Sequence, residues 1–299
     1  MQATWNAPVT SRLLLDAGIG ASISQWNTFW MPGVQARTIR ISDSGLGLSY
    51  GAGITYRAHP DFTNRKTQRF SATYVTGSHT MKTGVQMEEL FTDMFVTGNG
   101  GNASYSFRNG VPISLTQRTT PYLEQEGARE FGLFAQDQWR VSRWTFNYGV
   151  RFDYMRGYVP AQNLPGSPRP IATFNDRFPG ALLTNAWVGE RHFDAVSGIP
   201  SWKDLNPRLG ASWDLFGNGR TALKMSVGRY VAKTNVDVSN ALNPITTSVN
   251  SANRAWTDAN KNFVPDCDLG DFAKNGECGA LDNTNFGKNN PKATRWSDA

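Results

Sequence analysis

Trp144–Tyr154 reads WTFNYGVRFDY, and this stretch decides the fold. Its even positions, Trp144, Phe146, Tyr148, Val150, Phe152 and Tyr154, are all apolar or aromatic. Its odd positions, Thr145, Asn147, Gly149, Arg151 and Asp153, are all small or polar. Side chains alternate faces along a β-strand, so one face is wholly apolar and the other polar. A helical period of 3.6 residues would mix the two sets on every face.

The same period recurs on both sides of this stretch. Leu209, Ala211, Trp213 and Leu215 alternate with Arg208, Gly210, Ser212 and Asp214. Leu223, Met225 and Val227 alternate with Lys224, Ser226 and Gly228. Phe70, Ala72 and Tyr74 alternate with Arg69, Ser71 and Thr73, and Met81, Val85 and Met87 with Lys82, Gly84 and Gln86. Leu13, Leu15, Ala17 and Ile19 alternate with Arg12, Asp16 and Gly18, with Leu14 breaking the polar side. Phe131, Leu133, Ala135 and Trp139 share a face that Asp137 interrupts, a cost unless Asp137 sits near an interface. Seven full strands are predicted, near 11–22, 67–76, 80–90, 128–141, 144–157, 206–215 and 221–231, plus a stub at 1–5.

The connections alternate in length. Those at 6–10, 77–79, 142–143 and 216–220 are short, the last being the Gly/Asn turn FGNGR. Those at 23–66, 91–127, 157–205 and 232–299 are long. Tight turns at one end and long loops at the other mark an up-and-down transmembrane barrel. The fold class read here is all-β, an antiparallel up-and-down transmembrane β-barrel section at 1–231 with a long extracellular loop region at 232–299. Within the loop at 91–127, Ala103–Phe107 and Ile113–Gln117 flank Asn109-Gly110, a hairpin turn dipeptide, and predict a hairpin standing above the membrane.

Composition agrees. No apolar run approaches the roughly 20 residues of a membrane-spanning helix. The mean hydropathy of -0.45 is that of a polar chain, but a barrel strand gives only every second residue to lipid. Ten Trp, 17 Phe and nine Tyr suit aromatic belts at two membrane interfaces. The net charge of +6 is modest and its basic residues are spread along the chain, which argues against nucleic-acid binding. Residues 1–20 show no charged region followed by an apolar one, so no export leader is read there. A stub at the start, an odd number of full strands and the absence of an aromatic-ended closing strand near Arg295–Ala299 predict an internal section of a larger barrel. A complete eight-stranded barrel is the alternative.

Several segments resemble TonB-dependent outer-membrane receptors, in particular the Oar-like type with a carboxypeptidase-regulatory-like N-terminal domain. They are Phe134-Ala135-Gln136-Asp137-Gln138-Trp139, then Asn147-Tyr148-Gly149-Val150-Arg151-Phe152-Asp153-Tyr154, then Asn206-Pro207-Arg208-Leu209-Gly210. Phe216–Ala222, Gly228-Arg229-Tyr230, Ala255–Asn260 and Pro265–Leu269 continue the series. The resemblance implies a barrel of about 22 strands with an N-terminal plug in the outer membrane of a Gram-negative bacterium. It further implies import of a large ligand such as a siderophore, cobalamin or glycan, energised by an inner-membrane complex. No plug and no energy-coupling motif is read in these residues. An adhesive or structural surface protein using the barrel as an anchor is the second reading, and a soluble β-sandwich lectin the third.

Catalysis is not expected. His59, His79 and His192 are scattered over turns and loops, with no nucleophile–base pairing, and Gly98–Gly101 lacks the strand–helix frame of a phosphate-binding loop. Arg12, Asp16, Lys82, Arg151, Asp153, Arg208, Asp214 and Lys224 are predicted to face the lumen, where they pair with a plug, line a wet path or simply solvate the wall. Asp258, Asn260, Asn262, Asp266 and Asp268 place oxygens at alternate positions, a spacing that suits Ca²⁺ or else a plain polar loop. Phe263 stands where such loops usually turn on Gly. Cys267 and Cys278 suit a local disulfide in an oxidising compartment, or two free thiols. Trp26, Trp30, Trp187, Trp202 and Trp256 in or beside the loops could stack on a flat ligand or pack the loops together.

Overall fold

The computed structural model describes residues 1–26, 28–164, 187–232, 234–290 and 292–293, and of 57–61 the backbone alone. Eight strands form one antiparallel sheet: β1 (Gln2–Pro8), β2 (Leu13–Gln25), β5 (Tyr56–Thr76), β6 (His79–Thr97), β9 (Tyr122–Val141), β10 (Trp144–Val159), β13 (Val196–Asp214) and β14 (Ala222–Gly228). They neighbour one another in that order, each beside the next along the chain. Among the described residues β1 and β14 have a partner on one side only, so the sheet is open.

The register explains why the alternation is so regular. Trp144 lies opposite Trp213 and Val141, Tyr148 opposite Leu209 and Asp137, and Phe152 opposite Leu205 and Leu133. The matching continues through Leu133–Val85, Val85–Phe70, Phe70–Ala17 and Ala17–Trp5. A one-residue slip anywhere would throw a strand's apolar set to the wrong face. Leu133, Leu205, Leu209, Leu223, Met225 and Val227 on this convex face are exposed, as lipid-facing side chains are. From Trp144 to Tyr154 the apolar band runs eleven residues, ten steps along the strand. At about 3.3 Å each and a tilt of about 40°, that spans roughly 25 Å, the height of a barrel's apolar girdle.

The strands outrun the membrane. β5 begins at Tyr56 and β6 continues to Thr97, where loops were predicted from 23 to 66 and from 91 to 127. The first strand is a paired strand of seven residues, not a stub, and β14 stops at Gly228, short of 231. Above the sheet the long connections build structure of their own. β3 (Arg40–Asp43), β4 (Leu48–Tyr50), β7 (Ala103–Arg108), β8 (Val111–Arg118) and β15 (Ser251–Ala255) form a second sheet, ordered β15-β8-β7-β3-β4. β11 (Gln162–Leu164) and β12 (Arg191–Phe193) make a two-stranded ribbon. The predicted hairpin is present as β7–β8, turning on Asn109 at φ 53° and Gly110 at φ 79°. A short helix that the sequence pattern did not show, α1 (Asp237–Ala241), docks near β9 and β10.

The tight-turn end carries an aromatic belt. Trp144 stacks on Trp213 with ring centroids 5.2 Å apart, and Trp139 lies 5.7 Å from both Phe146 and His79. Asp137 belongs to this belt: its Oδ2 accepts hydrogen bonds from His79 Nδ1 and Tyr148 Oη, both at 2.7 Å. The acid that breaks the apolar face thus sits at the interface, where its partners come from the two neighbouring strands. Replacing Val150 by Arg, at mid-height of the apolar face, is expected to cost about 2–4 kcal/mol of folding stability in bilayers. Asn147→Lys, on the concave face, is expected to cost under about 1 kcal/mol. Urea titration of both variants folded into vesicles checks the difference.

Candidate functional site

Of the charges predicted to face the lumen, the structure joins some. Arg151 Nε donates to Asp153 Oδ1 at 2.7 Å, and Asn206 Nδ2 donates to Asp153 Oδ2 at 2.8 Å. The Arg208 guanidinium lies 4.6 Å from the Tyr230 ring centroid. Asp16 accepts from Ser71 Oγ at 3.4 Å, and Lys82 lines the same hollow as Gln136 and Arg151. Two residues differ from expectation. Asp214 spends its carboxylate on the tight turn, accepting from Gly217 N and Gly219 N at 2.9 Å each, because a turn with two left-handed glycines leaves both amides pointing at it. Arg12 precedes β2 in the first tight turn and so stands at the rim. Lys224 is exposed on the edge strand β14.

Two pairs were missed. Arg65 holds Glu88 bidentately, Nε to Oε1 at 2.8 Å and Nη2 to Oε2 at 3.0 Å. Arg229 donates to Asp204 Oδ1 at 2.5 Å. Glu88 continues the polar parity of Lys82, Gly84 and Gln86, so the signal was present. Arg65 lay in the predicted loop.

The long connections build the second sheet around a core of its own. Its core is Phe107, Leu115, Trp256 and Cys278, joined by Tyr105, whose ring centroid is 4.8 Å from that of Trp256. Cys267 and Cys278 form a disulfide that draws the 258–281 segment over this core. Arg254, buried, donates Nε to Gly279 O at 2.8 Å, Nη1 to Asp271 O at 3.0 Å and Nη2 to Ala273 O at 2.7 Å, which satisfies backbone carbonyls that no strand covers. Asp43 ties the β3–β4 turn to the β7–β8 turn. Burial opposes its charge, but the N–H groups of Gly110, Leu46, Asn109 and Gly45 hold its carboxyl below the usual range.

Of the five tryptophans, Trp256 is core, Trp187 packs beside Leu281 and Phe286, and Trp30 donates Nε1 to Asn99 Oδ1 at 3.1 Å. Trp26 and Trp202 are exposed. In the Asp258–Asp268 loop the oxygens serve the loop itself. Asp258 accepts from Asn262 N and Phe263 N, and Asp266 Oδ2 accepts from Asn260 Nδ2 and Asn262 Nδ2. Lys261 and Phe263 take the left-handed conformation, φ 62° and 59°, at the two places where it tightens the turn. No group of three or more His, Cys, Asp or Glu among the described residues is arranged to hold a metal. His192 bonds Asn163 and Asp194 at the surface.

Where α1 meets the upper part of β9, above the apolar band, Glu126 is almost fully buried. Burial pushes its pKa up to about 7, against a hydrogen bond from Asn243 Nδ2 and with Glu124, Asp237 and Asp93 adding negative charge nearby. An acid whose pKa rises on folding binds its proton more tightly when folded. Stability is therefore fullest below the unfolded value near 4.5 and declines as pH rises to about 7. The loss is expected to be on the order of 2–3 kcal/mol between pH 5 and 8, and Glu126→Gln is expected to abolish it. Thermal unfolding at both pH values checks this.

Comparison with known proteins places this architecture. The family described as outer membrane beta barrel domain matches residues 9–295. The TonB-dependent transporter Oar of Myxococcus xanthus is 24% identical over 247 residues, covering 75% of this chain and 20% of that protein. The chain thus spans about a fifth of the length of this curated relative. No solved structure matches.

Proposed function

This chain belongs to the outer-membrane β-barrel domain family of the bacterial outer membrane, and from that premise we propose that it is a wall section and extracellular cap of a TonB-dependent receptor that imports a large ligand. The observation that carries the reading is a charged, hydrogen-bonded concave wall, Arg65–Glu88 and Arg151–Asp153–Asn206, in a chain whose long connections fold into a second sheet. A wet, polar inner wall is what a ligand path needs. The open backbone edges of β1 and β14 cannot face hydrocarbon unpaired, so further barrel strands meet them in the membrane. An Oar-like architecture, with its N-terminal domain, plug and inner-membrane energy-coupling complex, belongs to the same proposal and is supported by the relative's name and the motif series.

The second reading, an adhesive anchor, draws on the exposed apolar tips of the cap at Val111, Ile113, Phe263 and Val264. Growth of a deletion strain on limiting iron, cobalamin or glycan separates the two. Import predicts a growth defect on one nutrient class, restored by the gene and lost again when energy coupling is disabled. Normal growth on all three with lost surface attachment would establish the anchor instead.

A further inference from the structure

Beside the β11–β12 ribbon, half-buried arginines follow one another through Thr119 and Ser104. Arg191 Nη2 donates to Thr119 O at 2.8 Å, while its Nη1 is buried with no hydrogen-bond partner. Arg118, the residue before Thr119, donates Nη1 to Ser104 Oγ at 2.8 Å. Arg40 is the register partner of Ser104. Its Nη1 reaches Ala52 O at 3.4 Å, and its Nε is buried and unpaired. Gln162 pairs with Phe193 and Leu164 with Arg191, so Gln162 and Arg191 share one face of the ribbon. Gln162 is 5% exposed, and neither its amide nitrogen nor its amide oxygen has a partner.

Arg254 in the same cap shows what a structural arginine looks like. Its three terminal nitrogens all end on carbonyl oxygens. Arg40 and Arg191 do not meet that standard, and among the described residues no carboxylate pairs with either. Burying a guanidinium without a counter-charge is costly, and an unpaired buried amide adds to the cost. Burial lowers the pKa of Arg191 to about 10 and depresses that of Arg118, with Arg40 repelling Arg118 and Tyr122 opposing both shifts. A bound anion would relieve these penalties together, because guanidinium groups match the geometry of oxyanions.

We propose that Arg40, Arg118, Arg191 and Gln162 form a binding site for an oxyanion, a phosphate or carboxylate group on a ligand held within the extracellular cap. This deepens the import reading by naming the group through which the ligand is gripped, and rests on that reading only for its purpose. Binding is measured without transport, so a failed uptake assay would leave it standing.

The test uses the full chain folded in detergent, with inorganic phosphate, citrate and chloride compared at matched ionic strength by calorimetry and thermal unfolding. Phosphate or citrate is expected to bind and raise Tm where chloride does not, and the anion that works identifies the group. Arg191→Gln is expected to weaken that binding about tenfold or more. Arg143→Gln, at an exposed tight turn, is expected to leave it unchanged. Should Arg191→Gln fail to fold, Gln162→Leu decides. Removing an orphaned amide should raise Tm in chloride yet shrink the gain from the anion. Equal stabilisation by all three anions, or undiminished binding by Arg191→Gln and Gln162→Leu, would overturn the proposal.

Discussion

Hydrocarbon offers no partner to a backbone N–H or C=O, so a chain that crosses it in strands must pair every strand on both edges. The rest of this structure depends on that constraint. Pairing fixes the strands about 4.8 Å apart, and the pleat then sends alternate side chains to lipid and to the interior. The register Trp5–Ala17–Phe70–Val85–Leu133–Phe152–Leu205 shows the consequence, a continuous apolar line drawn across seven strands. The hydrophobic effect that folds a soluble protein inward here turns the apolar set outward, and the polar set becomes a wall.

That division also sets where function can reside. The lipid face is occupied by Leu, Val, Met and aromatic side chains, and the acid that interrupts it on β9, Asp137, is consumed by His79 and Tyr148 in the interfacial belt. Chemistry is left to the concave wall and to the cap. Some of the wall's charges are spent on each other, as Arg65 is on Glu88 and Arg151 on Asp153. The polar groups of the second sheet and the ribbon beside it are of two kinds. Asp43 and Arg254 are saturated by the backbone and hold loops together, whereas Arg40, Arg191 and Gln162 keep unspent hydrogen-bonding capacity.

Within the lipid-facing height the sequence was readable, because alternation there is enforced on every residue. It stopped being readable where the strands leave the membrane. In Tyr56–Thr67 no lipid face demands apolar residues, so the upper half of β5 looks like a loop. In Leu90–Val96 the cap covers the strand, and Leu90, Met94, Phe95 and Val96 are buried on both parities. The hairpin on Asn109-Gly110 was legible because left-handed backbone at both turn positions has a composition of its own. The parity of Asp214 says nothing of the two glycine amides that capture it. Nothing in sequence separates Arg254 and Arg191 from surface arginines. Their burial comes from segments that meet only after folding.

The central claim is that one face of the sheet meets lipid and the other water, residue by residue. Single nitroxide labels placed in turn at positions 144–154 of the chain in bilayers test it most directly, through their collision rates with oxygen and with a water-soluble nickel complex. The account predicts that oxygen collisions dominate at the even positions and nickel collisions at the odd ones, with a period of two through Val150. Labels that show no alternation, or that favour nickel on both parities, would contradict it.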